Sequence, residues 1–96
     1  MALVYILYSE TIDRFYIGYT RNLESRLRQH LTSPNKTRFT AQANDWEVYF
    51  LIPELDYWEA IQIEKYIKRM RNRAFMERLK RNPKIIEKIR KKFKPR

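Results

Sequence analysis

Two polar residues of one predicted helix, Arg26 and His30, have side chains suited to phosphate chemistry. Leucine recurs every fourth residue at positions 23, 27 and 31, which predicts a helix with a buried leucine stripe. Arg26 and His30 are four residues apart and therefore point the same way, along one edge of that stripe. A guanidinium is a fixed fork of donors that matches phosphate, although an exposed helix edge would explain both residues without a function. His30 is the only histidine of the chain, and a lone histidine is more often a structural hydrogen-bonding residue than a catalytic one.

A carboxylate, Glu64, interrupts the apolar stripe of a second predicted helix. It follows Ala60 by four residues and precedes Ile67 by three, which places it on the buried face. Because a buried carboxylate is costly, it usually protonates, pairs with a cation or binds a metal. An ion pair with Lys68, four residues on, is the simpler explanation. The alternative is a Mg²⁺ ion held by one carboxylate, several waters and substrate phosphates.

Aromatic residues crowd one predicted hairpin, which contains Tyr5, Tyr8, Tyr16 and Tyr19. If Tyr8 pairs with Asp13 across a short turn, Tyr5 lies opposite Tyr16 on one face of the sheet. Gly18, the only glycine, lies within the second strand, where it weakens pairing unless something approaches closely. This strand, beside an aromatic cluster and an arginine-bearing helix, is a reasonable place for a phosphate to approach.

Three strands are predicted from β-branched and aromatic runs at residues 3–8, 14–19 and 46–52, the last closed by Pro53. The run 3–8 is continuously apolar, which is typical of a strand covered on both faces. Thr20 or Asn22 can cap the first helix. Residues 32–43 form a polar connection to the third strand.

The second half of the chain is predicted to be helical. Asp56 and Glu59 form a capping box that opens a helix reaching about Met70. Asn72 starts the next helix, Asn82 with Pro83 starts the last, and residues 91–96 are expected to fray. The expected inward side chains are Ala60, Ile63, Ile67 and Met70, then Phe75 and Leu79, then Ile85, Ile86 and Ile89. The order β-β-α-β-α-α-α predicts an α+β fold, a three-stranded antiparallel sheet flanked by helices.

Positive charge is concentrated at the C-terminal end. Residues 65–96 contain 15 Lys and Arg against 2 Asp and Glu, whereas residues 1–64 contain 6 against 9. Such a density of cations repels itself unless a polyanion lies nearby, so nucleic acid is the expected partner, with a solvated helix surface or an anionic membrane as alternatives. The apolar residues there are sparse for a membrane anchor. The chain has no cysteine, which excludes disulfides and thiolate zinc sites and is consistent with a cytoplasmic protein.

These residues together resemble a known family. Val4-Tyr5-Ile6, then Tyr16-Ile17-Gly18, then Arg26, His30 and Glu64 are similar in order and spacing to the motifs of the GIY-YIG nuclease domain. The resemblance spans residues 3 to about 70. The length resembles that of small stand-alone bacterial members related to the N-terminal nuclease domain of the excision-repair subunit. The family's preceding glycine is missing from the first motif, and both Asn72 and Asn82 could correspond to its C-terminal asparagine.

The resemblance implies roles for the five central residues. Arg26 would contact the scissile phosphate and stabilise the charge of the transition state, and Glu64 would hold one divalent cation, Mg²⁺ or Mn²⁺. Tyr5 would act as or beside the general base for the attacking water. Tyr16 would position water or phosphate, with His30 in the same network. A phenol is a poor base at neutral pH, so Tyr5 would need a cation nearby to lose its proton.

Further residues are expected to contact the substrate. Gly18, Tyr19, Lys36 and Arg38 would position it, and the cations expected on the nucleic-acid backbone are Lys65, Lys68, Arg69, Arg71 and Arg73. Residues 1–70 are interpreted as the nuclease-like core and residues 71–96 as a basic helical extension packed on the same domain.

The leading hypothesis is a metal-dependent endonuclease that hydrolyses DNA. Because no element for reading base sequence is apparent, structure-selective cleavage is expected rather than sequence-specific cleavage. One alternative is a non-catalytic module that binds DNA or RNA and retains the fold. Another is a subunit that docks on a larger repair complex through exposed aromatic residues. The sequence leaves open the oligomeric state and whether the tyrosine or a metal-bound hydroxide is the base.

Overall fold

The computed structural model describes residues 1–31 and 40–94 of the chain, with the side chain of Leu31 excepted. Three antiparallel strands form one sheet in the order β2-β1-β3, and helices flank it, which confirms the predicted α+β fold and its element order. The strands are β1 (Ala2–Ser9), β2 (Arg14–Thr20) and β3 (Glu47–Leu55). The α-helices are α1 (Leu23–Leu31), α2 (Tyr57–Arg69), α3 (Arg73–Arg81) and α4 (Pro83–Phe93), and a short 3₁₀ turn spans Thr40–Gln42.

The central strand β1 is covered on both faces, as its apolar sequence predicts. Val4 and Ile6 face the larger core, which α2, α3 and α4 complete. Tyr5 and Leu7 face the opposite way, toward α1 and Trp46. Side chains alternate between the two faces of a strand, so each face of β1 contributes to a separate core. The sheet therefore lies between α1 on one side and the three C-terminal helices on the other.

The predicted register of the first hairpin is wrong by two residues. Tyr5 pairs with Gly18 and Tyr8 with Phe15, rather than with Tyr16 and Asp13. Tyr8 does reach Asp13, but through a side-chain hydrogen bond of 2.6 Å between its hydroxyl and the carboxylate. Because strand side chains repeat every two residues, a shift of two keeps Tyr5 and Tyr16 on the same face. The prediction that Tyr5 and Tyr16 share a face of the sheet is therefore correct, although the predicted pairing is wrong.

Strand β3 continues past Pro53, which was predicted to close it. Val4 pairs with Ile52 and Ala2 with Leu55, so residues 53 and 54 form a bulge opposite a single residue of β1. Glu54 has a φ of 59° at this bulge, and its carbonyl accepts a hydrogen bond of 3.1 Å from Arg90 of α4. Proline is tolerated here because β3 is an edge strand and the bulge interrupts the ladder.

Side-chain caps define the starts of the first two helices. The Asn22 side chain accepts a hydrogen bond of 3.0 Å from the backbone N–H of Ser25, so Asn22 is the N-cap of α1. Asp56 and Glu59 form the predicted capping box of α2. An N-cap of this kind typically contributes about 1 kcal/mol to stability.

The inward faces of α1 and α2 largely follow the predicted pattern. Leu23 and Leu27 pack against the smaller core. Ala60, Ile63 and Ile67 are fully buried. Met70 was expected to be buried with them and is not: it is 38% exposed, because it lies at the C-cap, beyond the last full turn of α2.

The two C-terminal helices complete the larger core. Asn72 caps α3 and Asn82 caps α4, as predicted. The residues that α3 and α4 bury there are Phe75, Met76, Leu79 and Ile89, with Ile85 and Ile86 partly buried against them. The expected fraying from residue 91 is wrong for residues 91–93: α4 is helical to Phe93, whose ring lies 5.7 Å from that of Tyr66. Within the described ranges, no helix is long and apolar enough to span a membrane.

Candidate active site

An open cleft of about 210 Å³ lies along β2, an edge strand of the sheet, between α1 from one face and α2 from the other. It receives side chains from four elements, β1, β2, α1 and α2. Its lining residues are Tyr5, Tyr16, Ile17, Gly18, Tyr19, Arg26, Tyr57, Glu64 and Lys68. Four of the five residues predicted to be central to catalysis are therefore together, and the fifth, His30, lies directly behind Tyr5.

Gly18 makes room for the side chain of Tyr5. A β-carbon at position 18 would lie 2.6 Å from Cζ of Tyr5 and would overlap its hydroxyl. The absence of a side chain at Gly18 therefore lets the phenol of Tyr5 cross the neighbouring strand and reach the cleft wall. This is a second explanation for a glycine inside a strand, beside the close approach of a phosphate expected from the sequence.

A buried hydrogen-bond chain holds Tyr5 in place. The Tyr5 hydroxyl lies 2.8 Å from Nε2 of His30, and Nδ1 of His30 lies 3.2 Å from the hydroxyl of Thr40. The indole N–H of Trp46 donates to the Thr40 carbonyl over 2.9 Å. His30 and Thr40 are fully buried. The chain thus connects β1, α1 and the 3₁₀ turn behind the cleft, and no sequence pattern pointed to Thr40 as its member.

Burial sets the protonation of this chain. Burial, and after it the nearby Arg26 guanidinium, lower the pKa of His30 from 6.5 to about 4. Burial raises the pKa of the Tyr5 phenol well above its ordinary value, and Tyr16 adds to this effect whereas Arg26 opposes it. At neutral pH His30 is therefore an uncharged ring and Tyr5 keeps its proton. A neutral imidazole can accept from Tyr5 through one nitrogen and donate to Thr40 through the other.

Tyr16 and Arg26 lie closer to solvent than Tyr5. The ring of Tyr16 is 6.2 Å from that of Tyr5 and 4.6 Å from that of His30, and it is half-buried. Arg26 is half-buried on α1 and lines the cleft from the face opposite α2. The guanidinium of Arg26 and the hydroxyl of Tyr16 are both groups that can donate hydrogen bonds to a phosphate.

Glu64 lies on the α2 side of the cleft. It is 8% exposed, and its Oε1 lies 3.2 Å from Nζ of Lys68, so the ion pair expected from the sequence is present. Among residues 1–31 and 40–94, no group of three or more His, Cys, Asp or Glu side chains could hold a metal ion. Glu64 is the carboxylate among the described residues that line the cleft.

Two residues of the rim, Arg21 and Tyr57, were not singled out in the sequence. Tyr57 is 43% exposed, and its ring lies 5.6 Å from that of Tyr19 at an interplanar angle of 75°. The guanidinium carbon of Arg21 lies 4.2 Å from the centroid of the Tyr57 ring. The Tyr19 hydroxyl donates a hydrogen bond to Tyr57, which favours the protonated phenol and raises the pKa of Tyr19. The signal that could have revealed Tyr57 is its position beside a second large aromatic residue, Trp58, at the start of an otherwise amphipathic helix.

The predicted backbone-binding cations have different surroundings. Lys65 and Arg69 are exposed on α2, whereas Lys68 faces the cleft. Arg71 and Arg73 line a separate depression of about 390 Å³ at the start of β2. Arg73 also pairs with Asp13 and donates a hydrogen bond of 3.0 Å to the Tyr8 hydroxyl. Lys36 and Arg38, predicted to position substrate, lie outside the described residues.

Neither candidate for the family's C-terminal asparagine lines the cleft. The Asn72 side chain accepts a hydrogen bond of 2.8 Å from the backbone N–H of Phe75, and Asn82 accepts one of 3.1 Å from Lys84. Both therefore act as helix caps.

Comparison with known proteins agrees with this arrangement. The sequence model of the GIY-YIG catalytic domain matches residues 1–80, which is most of the chain. No curated protein and no solved structure matches the chain significantly. The narrower similarity to the excision-repair subunit stays a prediction. Proteins of this family are nucleases that cleave DNA. The match over residues 1–80, on a sheet and cleft that bring the motif residues together, shows that this chain belongs to the GIY-YIG catalytic domain family.

Proposed function

We propose that this chain is a divalent-metal-dependent endonuclease that hydrolyses phosphodiester bonds of DNA and selects its substrate by structure rather than by base sequence. The observation that carries the proposal is the convergence of Arg26, Glu64, Tyr5 and Tyr16 on one open cleft. A cation and hydroxyl donors can stabilise the negative charge that increases on the phosphate as water attacks, and a carboxylate can hold a metal ion with the same effect.

Arg26 binds the scissile phosphate. Its guanidinium can donate two parallel hydrogen bonds to phosphate oxygens, and its positive charge interacts more strongly with the pentavalent transition state than with the ground state. Removal of one such donor typically costs about 100-fold or more in rate. Lys68, on the opposite wall, adds a second positive charge beside the cleft.

Glu64 is the residue that would hold the divalent cation. The donor set is consistent with Mg²⁺ or Mn²⁺, because a single oxygen ligand from protein with water and phosphate oxygens is a common environment for these ions. When bound, the ion would supply Lewis-acid stabilisation of the phosphate charge. Lys68 contacts Oε1 of Glu64 at 3.2 Å and would compete with the ion for this carboxylate.

Tyr5 and His30 position the reacting groups. Both are uncharged at neutral pH, so the pair forms a rigid hydrogen-bonded support on which Tyr16 stacks. Because burial raises the pKa of Tyr5, the phenol keeps its proton in the free protein and does not act as a base there. Tyr5 would become an acceptor for a proton from water only if a divalent cation held by Glu64 added positive charge nearby, which is the effect that Arg26 already exerts on its pKa.

Selection by structure follows from the kind of contacts available. The cations of α2 and of the depression at Arg71 are suited to phosphates, which carry no sequence information. A role in DNA repair, a cytoplasmic location and the division of the chain near residue 70 are further proposals. The family's action on DNA and the absence of cysteine support the first two.

Cleavage assays with matched variants test the proposal. Purified protein is incubated with plasmid, single-stranded, flap and branched DNA, with Mg²⁺, Mn²⁺ or Co²⁺. Glu64→Gln and Arg26→Ala are expected to lower cleavage at least about 100-fold while leaving DNA binding in EDTA within a few-fold of the original. The controls are Glu87→Gln on α4 and Arg28→Ala on α1, both exposed and away from the cleft, which should retain activity.

A non-catalytic binding module is the second candidate, and the Glu64–Lys68 ion pair favours it. A carboxylate already neutralised by a lysine is less available to a metal ion. This reading requires that the protein bind DNA but cleave none of the substrates with any of the three ions. Cleavage that disappears in Glu64→Gln and persists in Glu87→Gln would rule it out.

A further inference from the structure

A second open depression adjoins the cleft on the side of α1. Its volume is about 380 Å³, and it shares Tyr19, Arg26 and Tyr57 with the cleft. The remaining lining residues are Thr20, Arg21, Asn22, Ser25 and Gln29. Because Arg26 lies between the two spaces, a nucleotide whose phosphate contacts Arg26 has its base, or that of its neighbour, within reach of this depression.

One wall of the depression is aromatic and cationic. The guanidinium of Arg21 lies over the ring of Tyr57 at 4.2 Å, and the Tyr19 ring meets Tyr57 at a steep angle. Tyr57 remains 43% exposed despite these contacts. Nucleobases stack on tyrosine rings and on the planes of arginine side chains, whatever their sequence. This wall therefore has the chemistry of a stacking surface for a base.

The opposite wall is polar and belongs to the first two turns of α1. Asn22, Ser25 and Gln29 recur at intervals of three and four residues, so they share a face of the helix with Arg26. Asn22 uses its carbonyl oxygen to cap the helix, which leaves amide N–H groups as donors on its outer side. Amide and hydroxyl groups at this position can hydrogen-bond to the edge of a stacked base.

We propose that this depression binds one unpaired nucleobase next to the phosphate held by Arg26. A base within a duplex is stacked on both sides and paired, so it can enter only after it leaves the helix. The site therefore selects DNA that has an unpaired nucleotide at the cleavage position, such as a single strand, a flap or a bulge. The inference rests on the proposed function for the position of the phosphate, and it names the substrate class that the cleft accepts.

Binding measurements in EDTA test the inference without cleavage. Oligonucleotides carry the fluorescent base 2-aminopurine at one position, either unpaired in a single strand, bulged from a duplex, or paired within a duplex. The unpaired and bulged forms are expected to bind more tightly than the paired form and to lose fluorescence as the base stacks. Tyr57→Ala should weaken binding of the unpaired forms about tenfold and the paired form less than about twofold, since stacking on one aromatic ring contributes about that factor. Tyr57→Phe keeps the ring and should retain most of the preference.

Trp58→Ala is the matched control. Trp58 is the next residue of the same helix turn and is 50% exposed, but it does not line the depression. Circular dichroism establishes that the variants are folded. The inference is overturned if the protein binds paired and unpaired forms equally, if Tyr57→Ala weakens both forms to the same extent, or if Trp58→Ala has the effect expected of Tyr57→Ala.

The two proposals fail separately in these experiments. A preference for unpaired bases that depends on Tyr57, in a protein that cleaves nothing, would refute the endonuclease and leave the base site standing. Cleavage that depends on Glu64, with no preference for unpaired bases, would refute the base site alone.

Discussion

Acidification is expected to destabilise this protein through His30. The buried ring has a pKa of about 4 in the folded chain, against 6.5 for an unperturbed histidine, because burial and then Arg26 disfavour its charged form. Between these two pH values the unfolded chain binds a proton at this position and the folded chain does not. The free energy of unfolding therefore falls as the pH is lowered from 6.5 toward 4, and above about pH 6.5 this contribution is constant.

The size of the effect follows from the difference in pKa. A fall from 6.5 to about 4, at about 1.4 kcal/mol per pKa unit, gives about 3 kcal/mol lost between neutral pH and pH 4. Since a small domain is typically stable by about 5 to 15 kcal/mol, this loss from one residue is substantial.

Denaturant unfolding at several pH values measures this loss. The His30→Gln variant has a lower stability at neutral pH, because it disturbs the hydrogen bonds to Tyr5 and Thr40, but it lacks the titration. The difference in unfolding free energy between the original protein and the variant should therefore shrink by about 3 kcal/mol from pH 7 to pH 4. Because His30 is the only histidine, its NMR signal can be assigned directly and titrated in the folded protein.

Two results would refute this reasoning. One is an NMR titration of His30 with a midpoint near or above 6.5, which would mean that the ring is accessible to solvent or has a carboxylate partner. The other is a stability difference between the original protein and His30→Gln that stays constant between pH 7 and pH 4.

Two further predictions concern the support of the cleft and the hairpin. Gly18→Ala should lower the free energy of unfolding by about 1 to 3 kcal/mol, because the new methyl group overlaps the phenol of Tyr5. The same substitution should have a clearly smaller effect in a Tyr5→Leu background, as measured by denaturant unfolding. Equal effects in both backgrounds would contradict this. The pKa of the Asp45 carboxyl is lowered from 3.8 to about 2 by hydrogen bonds from Ser9 and then from Thr11. The stabilising contribution of the Asp45 carboxylate is complete above pH 3.8 and is lost as the pH falls through 2. The melting temperature of Asp45→Asn should therefore lie below that of the original protein at pH 6 and approach it near pH 2. A difference in melting temperature that does not depend on pH would show that the carboxylate charge contributes nothing.

Local rules were sufficient for most elements of the fold. The continuous apolar run in β1 indicated burial on both faces, and the Asp56–Glu59 capping box gave the start of α2 correctly. Such features depend on residues close together in sequence. The prediction that Tyr5 and Tyr16 share one face is correct although the predicted pairing is wrong. The register differs by two residues, and strand side chains return to the same face every two residues.

Contacts between distant residues could not be predicted in the same way. Thr40 contacts His30 only because the 3₁₀ turn packs against α1. The spacing of residues along the chain does not predict this contact. Gly18 faces Tyr5 only in the observed register. The sequence predicts that β3 ends at Pro53, because a bulge depends on the partner strand and is not visible in one sequence. The grouping of Arg26 and Glu64 in one cleft came from the family resemblance rather than from spacing.

The bulge at Pro53 and Glu54 also affects how molecules meet one another. β3 is an edge of the sheet, and an unpaired edge can template a strand from a second copy, which is a route to aggregation. Here the edge has a residue without an N–H group, a local change of backbone direction and two exposed carboxylates, from Glu47 and Glu54. These features make continued intermolecular pairing unfavourable. Copies brought close together on one DNA molecule would therefore be protected from pairing through the β3 edge.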